Sequence, residues 1–156
     1  MFQKTSSPCI KILLLLCYYI PMEHHFNTKV YYSDTDAYGV VWHGAYLRWL
    51  EKGRIDFCEQ FGFNLIELQN ENIVLPVASI EIKYKYPAKL NDNLIVSSEI
   101  ETITPLYLTF CQKIYDENME KLFIEAKVKV VATDNNGKLY RRMPTKLYEA
   151  FKNETK

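Results

Sequence analysis

Apolar and polar residues change rhythm along this chain, and each rhythm predicts a different element. From His43 to Phe61 there is no proline, and Tyr46, Leu47, Leu50, Phe57, Cys58 and Phe61 return at helical spacing. The spacing predicts a helix of three or more turns, ended by Gly62, which can take the left-handed conformation after the last turn. Trp49 and Ile55 lie off that stripe, so apolar groups occupy most of the circumference. A helix of this kind has to be enclosed, here by a sheet from the second half of the chain.

The flanking segments read as strands and turns. Asn27 to Ser33 alternates loosely and predicts a short first strand, leading into a polar turn, Ser33-Asp34-Thr35-Asp36, and then Tyr38-Gly39. Asn64 to Asn70 adds a short helical piece. From Ile73 the period falls to two: Ile80, Ile82, Tyr84 and Tyr86 alternate with Glu81, Lys83 and Lys85. That strand, stopped by Pro87, has one face for a core and the other for water or a partner. Leu94 to Thr104, Leu106 to Tyr115 and Leu122 to Thr133 predict three more strands. Asp134-Asn135-Asn136-Gly137 signals a hairpin, because Asn-Gly accepts positive φ angles. Lys138 to Arg142 is expected to return as an edge strand, and Thr145 to Lys152 as a helix capped by its threonine. The fold class is therefore α+β, a strand and a long helix followed by four or five antiparallel strands that must curl round it. Exposed sheet edges call for self-association as a homodimer or homotetramer.

Composition narrows the function. Lysine plus arginine equals aspartate plus glutamate, 19 against 19, which removes the electrostatic case for binding nucleic acid or an acidic membrane. Twelve tyrosines and eight phenylalanines suit a β-rich protein with a sizeable internal or interfacial surface. Cys9, Cys17, Cys58 and Cys111 form no CxxC pair or Cys/His cluster, so reduced, buried thiols are expected, and no metal. His24 and His25 have no evident partner and are expected at the surface. Ile10 to Ile20 is an apolar run too short to span a bilayer, so no stable membrane insertion is expected. It reads as a signal-like segment without a cleavage site, as a poor lipoprotein motif, or as an extension upstream of a start at Met22. The last reading is preferred. It places a non-domain extension at 1–21 and one domain at 22–156, in a cytoplasmic protein.

The run YYSDTDAYGVVWHGAYLRWLEKGR resembles the signature of hotdog-fold acyl-CoA thioesterases of the 4-hydroxybenzoyl-CoA thioesterase type, particularly the branch associated with the bacterial Tol-Pal system. The matching positions are Tyr31, Asp34, Thr35, Asp36, Gly39, Val40, Val41, Trp42, His43, Tyr46, Glu51 and Arg54. A second block, IEIKYKYPAKLNDNLIV, is similar at Pro87, Ala88, Leu90 and Asp92. The resemblance spans about Thr28 to Pro144. It departs at Tyr38, where a second small residue is common, and at Ala78, where many members carry arginine. It implies a hotdog fold and hydrolysis of an acyl-CoA to a carboxylic acid and free coenzyme A without a cofactor. An acyl-carrier-protein substrate, or a non-catalytic acyl-binding module of an envelope or lipid-synthesis complex, are the alternatives. A hydratase is disfavoured, because its acid-base pair normally sits on a differently placed motif.

Thioester hydrolysis needs a nucleophile or base and a place for the charge that develops on the carbonyl oxygen. A helix N-terminus supplies the second through unpaired N–H groups and about half a positive charge. The N–H groups around Trp42, His43 and Gly44 are the candidates, and Gly39 allows close approach of backbone to the acyl group. The resemblance makes Asp36 the catalytic carboxylate, as nucleophile through a mixed anhydride or as general base for water. A carboxylate is a weak base toward water, which leans toward nucleophilic attack. His43 orients Asp36, contacts substrate, or serves through its backbone alone. Val41, Trp42, Gly44 and Tyr46 are expected substrate contacts, joined by Ser79 from a neighbouring subunit. Asp34 is expected to cap a turn, and Glu51 with Arg54 to form a buried architectural pair. Lys83, Lys85, Lys89, Arg141 and Arg142 are the cations available to coenzyme A phosphates.

Overall fold

The computed structural model of the chain describes residues 23–155. The expectations for residues 1–21, including Cys9 and Cys17, fall outside them. Five strands, β1 (His24–Lys29), β2 (Val77–Tyr84), β3 (Asn93–Ile103), β4 (Tyr107–Asp116) and β5 (Leu122–Val131), form one antiparallel sheet in the order β1-β3-β4-β5-β2. Among the described residues three α-helices accompany it: α1 (His43–Gln60), α2 (Leu65–Asn70) and α3 (Thr145–Phe151). An antiparallel sheet of the α+β class packed on the long helix is thus observed, and Gly62, at φ 77°, ends α1 in the left-handed region.

Burial on α1 selects a narrower stripe than its composition suggests. Tyr46, Trp49, Leu50, Gly53 and Phe57 are buried, at the i, i+3, i+4, i+7 spacing of one helix face. Leu47, expected on the stripe, is exposed, while Trp49, expected off it, is inside. A single five-stranded sheet covers one side of a helix, so Arg48, Glu51, Lys52 and Glu59 remain in water. Two clusters fill the space beneath: Tyr46, Trp49 and Leu50 meet Val96, Ile114 and Ile124 at one end, and Phe57 meets Phe110, Val128 and Phe151 at the other.

Between the clusters the core is polar. Gln112, fully buried on β4, donates through Nε2 to the Leu50 carbonyl (2.9 Å) and to Ser98 Oγ (2.7 Å), and its Oε1 accepts from Arg54 Nη1 (2.9 Å). Satisfying a buried amide so fully removes the cost of its desolvation. It also ties a helix carbonyl to two strands. Gly53 makes the approach possible, because a Cβ there would stand 2.6 Å from Ser98 Oγ and 3.1 Å from Gln112 Nε2. The expected buried Glu51–Arg54 pair is corrected in part: Glu51 is exposed and Arg54 hydrogen-bonds to Gln112, while the Glu51 charge still acts on the guanidinium.

Several local expectations shift. The first strand is His24–Lys29 instead of Asn27–Ser33, because Tyr32–Asp34 winds into a 3-10 turn. His24 is not free: its ring faces Gln60 and lies 3.7 Å from Asp56, while His25 lies 3.1 Å from Glu23. Gly137 alone takes positive φ in the 134–137 turn, and residues 138–142 contribute one isolated bridge, Thr133 to Leu139, in place of a strand. Pro144 precedes α3, and the Thr145 side chain caps nothing. β2 is an edge strand whose apolar positions Ile80 and Tyr84 are 42% and 52% exposed, leaving Ile82 as the one of them packed against the core.

Two measurements test this packing. Gly53→Ala gains about 1 kcal/mol in helix propensity but overpacks the helix–sheet contact by about 1–3 kcal/mol. A net loss of stability is expected in urea denaturation, and a gain would contradict the contact. Burial pushes the Cys58 thiol up to about 12, so at pH 8 it stays protonated and native protein should resist alkylation at Cys58 until unfolded.

Candidate active site

The segment before α1 is organised by two aspartates with different duties. Asp34 is buried, its carboxylate accepting the Tyr31 N–H at 2.9 Å and pairing with the Arg48 guanidinium. Its carbonyl accepts the Trp42 N–H at 3.0 Å, which fixes the beginning of the helix against the turn. Asp34 is therefore structural, as its place before a turn suggests. Asp36 is exposed. Its N–H donates to the Val40 carbonyl (2.9 Å), and its carbonyl accepts the Gly39 N–H (3.0 Å). Oδ1 accepts the Tyr38 N–H at 2.8 Å, while Oδ2 has no donor among the described residues. Gly39 sits at φ 74°, and no atom lies within 4 Å of where its Cβ would be, so the turn itself requires glycine.

Asp36 shares a cavity of about 330 Å³ with Val41, His43, Tyr46, Tyr84, Lys85, Tyr86 and Pro87. The sequence places Asp36 seven residues from His43; the tight turn folds that distance back so that both face one hollow at the start of α1. The first-turn N–H groups of His43 and Gly44 have no acceptor among the described residues. Trp42, in contrast, has spent its N–H on Asp34, which removes it from the expected set of oxyanion donors. Its indole instead covers Gly44, where a Cβ would come within 2.0 Å of the ring, and stands edge-on to the His43 imidazole at 5.4 Å.

Tyr46 forms the inner wall. Burial pushes its phenol above the ordinary range, so it stays protonated, and its oxygen accepts the Ala88 N–H at 3.0 Å. The Tyr46 ring meets Trp49 and Tyr84 edge-on, at 5.6 and 5.9 Å. Ser79 is not brought to this cavity within one chain. It pairs with Lys129 in the register and lines a separate hollow with Glu101 and Lys127. Of the expected cations, Lys85 reaches the cavity, 3.8 Å from Glu125. Sequence reasoning missed Arg48, Tyr84 and Tyr86 as site-building residues; the period-two run Ile80 to Tyr86 carried the signal for the two tyrosines. Among the described residues no three His, Cys, Asp or Glu side chains are grouped to hold a metal, and no helix is long and apolar enough to cross a membrane.

A long helix cradled by a five-stranded antiparallel sheet, with a carboxylate turn at the helix start, is the hotdog arrangement. Residues 30–151 match the model of the Thioesterase-like superfamily, and the chain belongs to that family. It is 33% identical over 124 residues to the acyl-CoA thioester hydrolase YbgC of Escherichia coli, covering 80% of this chain and 92% of that one. With the acyl-CoA thioesterase YbgC of Haemophilus influenzae it shares 32% identity over 110 residues, 70% of this chain and 79% of the other. Among solved structures, a probable thioesterase from Bartonella henselae superposes with a TM-score of 0.72 at 30% identity, over 79% of this chain and all of that one.

The indole over Gly44 offers a direct check. Gly44→Ala should drive Trp42 off the helix start, lowering stability by about 1–3 kcal/mol and red-shifting tryptophan emission. An unchanged spectrum and melting temperature would contradict the contact.

Proposed function

We propose that this chain is an acyl-CoA thioesterase, with Asp36 as its catalytic carboxylate and the start of α1 as its oxyanion site. The observation that carries the reading is that Asp36 and His43 line one cavity at a helix N-terminus with unpaired N–H groups. A thioester bound there has its carbonyl oxygen on the His43 and Gly44 N–H groups, which, with the helix dipole, stabilise the tetrahedral oxyanion. The free Oδ2 of Asp36 attacks the carbonyl carbon and the thiolate leaves. Water then hydrolyses the mixed anhydride, releasing the acid and restoring the carboxylate. Alternatively, Asp36 takes a proton from water, whose oxygen attacks directly. The His43 side chain flanks either route, next to the Trp42 ring.

The reaction belongs to residues 22–156 and needs no cofactor, because the leaving thiolate is stable without acid assistance. It takes place in the cytoplasm, where acyl-CoA is made and used. A second copy of the chain supports the site. β2 is a bare edge carrying exposed Val77, Ile80 and Tyr84, and Tyr84 and its neighbours also form the cavity wall. Pairing two β2 edges in a homodimer, and two dimers in a homotetramer, covers this strip and closes the cavity mouth.

Thiol release from a panel of acyl-CoAs, hexanoyl to palmitoyl and aryl, tests the reading. Asp36→Asn should lose roughly 10²-fold or more in kcat/KM with its melting temperature retained, since Asp36 is exposed. An unaffected Asp36→Asn enzyme, or no thiol from any acyl-CoA with wild type, would overturn it. Turnover of acyl-carrier protein alone would move the substrate from coenzyme A to the carrier.

A further inference from the structure

Ala88 lies 42 residues from Tyr46 in sequence, is fully buried, and uses both of its backbone polar groups on the site. Its carbonyl accepts the Val41 N–H at 2.9 Å, and the adjoining Lys89 bridges to Val40. Val40 in turn accepts the Asp36 N–H through its carbonyl at 2.9 Å. The strip carrying Asp36 is therefore laid along residues 88 and 89. What holds residue 88 to the helix is a side chain: the Ala88 N–H donates to the phenol oxygen of Tyr46, on the first turn of α1. The path runs from helix start through Tyr46, Ala88 and Val40–Val41 to Asp36, every link a hydrogen bond of 2.9–3.0 Å or a β-bridge.

We propose that Tyr46 is a positioning residue for the reaction, its phenol oxygen fixing through Ala88 where the Asp36 carboxylate stands relative to the N–H groups at the start of α1. This rests on the thioesterase reading and adds a residue that acts through others. A phenylalanine at 46 keeps the ring packing on Trp49 and Tyr84 but leaves the Ala88 N–H buried with no acceptor. The segment then has reason to move toward water, and the strip bearing Asp36 moves with it. Misplacing a reacting group by a fraction of an ångström reduces the rate of chemistry more than it weakens binding of the remainder of the substrate.

The test compares Tyr46→Phe with Tyr140→Phe. Tyr140 also uses its hydroxyl in a hydrogen bond to backbone, donating to the Asn72 carbonyl at 2.8 Å, in a part of the molecule that does not line the cavity. Two readouts are taken on the full chain: amide hydrogen exchange of residues 36–42, and the kcat and KM for one acyl-CoA. The positioning role predicts exchange at least about ten-fold faster across residues 36–42 in Tyr46→Phe, with kcat lowered about ten-fold and KM within about two-fold. Tyr140→Phe should lower the melting temperature and leave both readouts unchanged. Exchange across 36–42 equal to wild type in Tyr46→Phe overturns the proposal, as does a raised KM at unchanged kcat, which makes Tyr46 a substrate contact only. A Tyr46→Phe chain that fails to fold leaves the decision to Tyr46→3-fluorotyrosine, which keeps the hydroxyl and weakens it as an acceptor: faster exchange at 36–42 supports the role, and an unchanged rate overturns it. If wild type releases no thiol, the thioesterase reading fails by itself, and the exchange comparison still decides whether Tyr46 holds the Asp36 strip.

Discussion

Everything at this site depends on the carbonyl and carboxylate of one buried residue, Asp34. Its carboxylate ties the Tyr31 N–H and the Arg48 guanidinium into one knot, and its carbonyl takes the Trp42 N–H. Where α1 begins is therefore set by the same residue that sets where the Asp36 turn begins. An unpaired buried carboxylate is expensive, so Arg48, reaching back from the second turn of the helix, is part of the arrangement and not surface decoration. With that knot in place, Asp36 is left exposed with one carboxylate oxygen unspent, two residues from a carboxylate that is fully used.

The same local turn occurs elsewhere in the chain. Asp134 to Gly137 repeats it: the Gly137 N–H donates to the Asp134 carbonyl, the Asn136 N–H to Asp134 Oδ1, and the glycine takes φ 80°. There, however, Oδ1 also accepts the Lys138 N–H and no helix starts opposite. Comparing the two turns separates what an aspartate-to-glycine hairpin does for folding from what its surroundings add. The role proposed for Asp36 draws on the helix tip and the tyrosine-lined cavity.

Those surroundings were only partly legible in the sequence. The α+β order, the long helix with its glycine stop, and the four later strands follow from periodicity and turn residues alone, because each is a local property. The shared position of Asp36 and His43 followed from a motif of short span. Long-range contacts were invisible: nothing in the pattern joins Ala88 to Tyr46, Gly53 to Ser98, or Gln112 to the Leu50 carbonyl. The helix face was misjudged for a related reason. Leu47 and Trp49 are both apolar, and only the sheet, which covers one side, decides which of them is buried. The first strand lost residues 30–33 to the knot around Asp34, a tertiary demand that overrides loose alternation.

The central claim is geometric: a thioester carbonyl is held between the Asp36 carboxylate and the N–H groups of His43 and Gly44. A crystal structure with an acyl-CoA analogue whose thioester sulfur is replaced by methylene tests it most directly, since the ketone keeps the carbonyl and cannot be cleaved. The account predicts the carbonyl oxygen within about 3 Å of at least one of those N–H groups, with Asp36 facing the carbonyl carbon. An analogue bound with its carbonyl away from the start of α1, or with Asp36 turned to solvent, would contradict it.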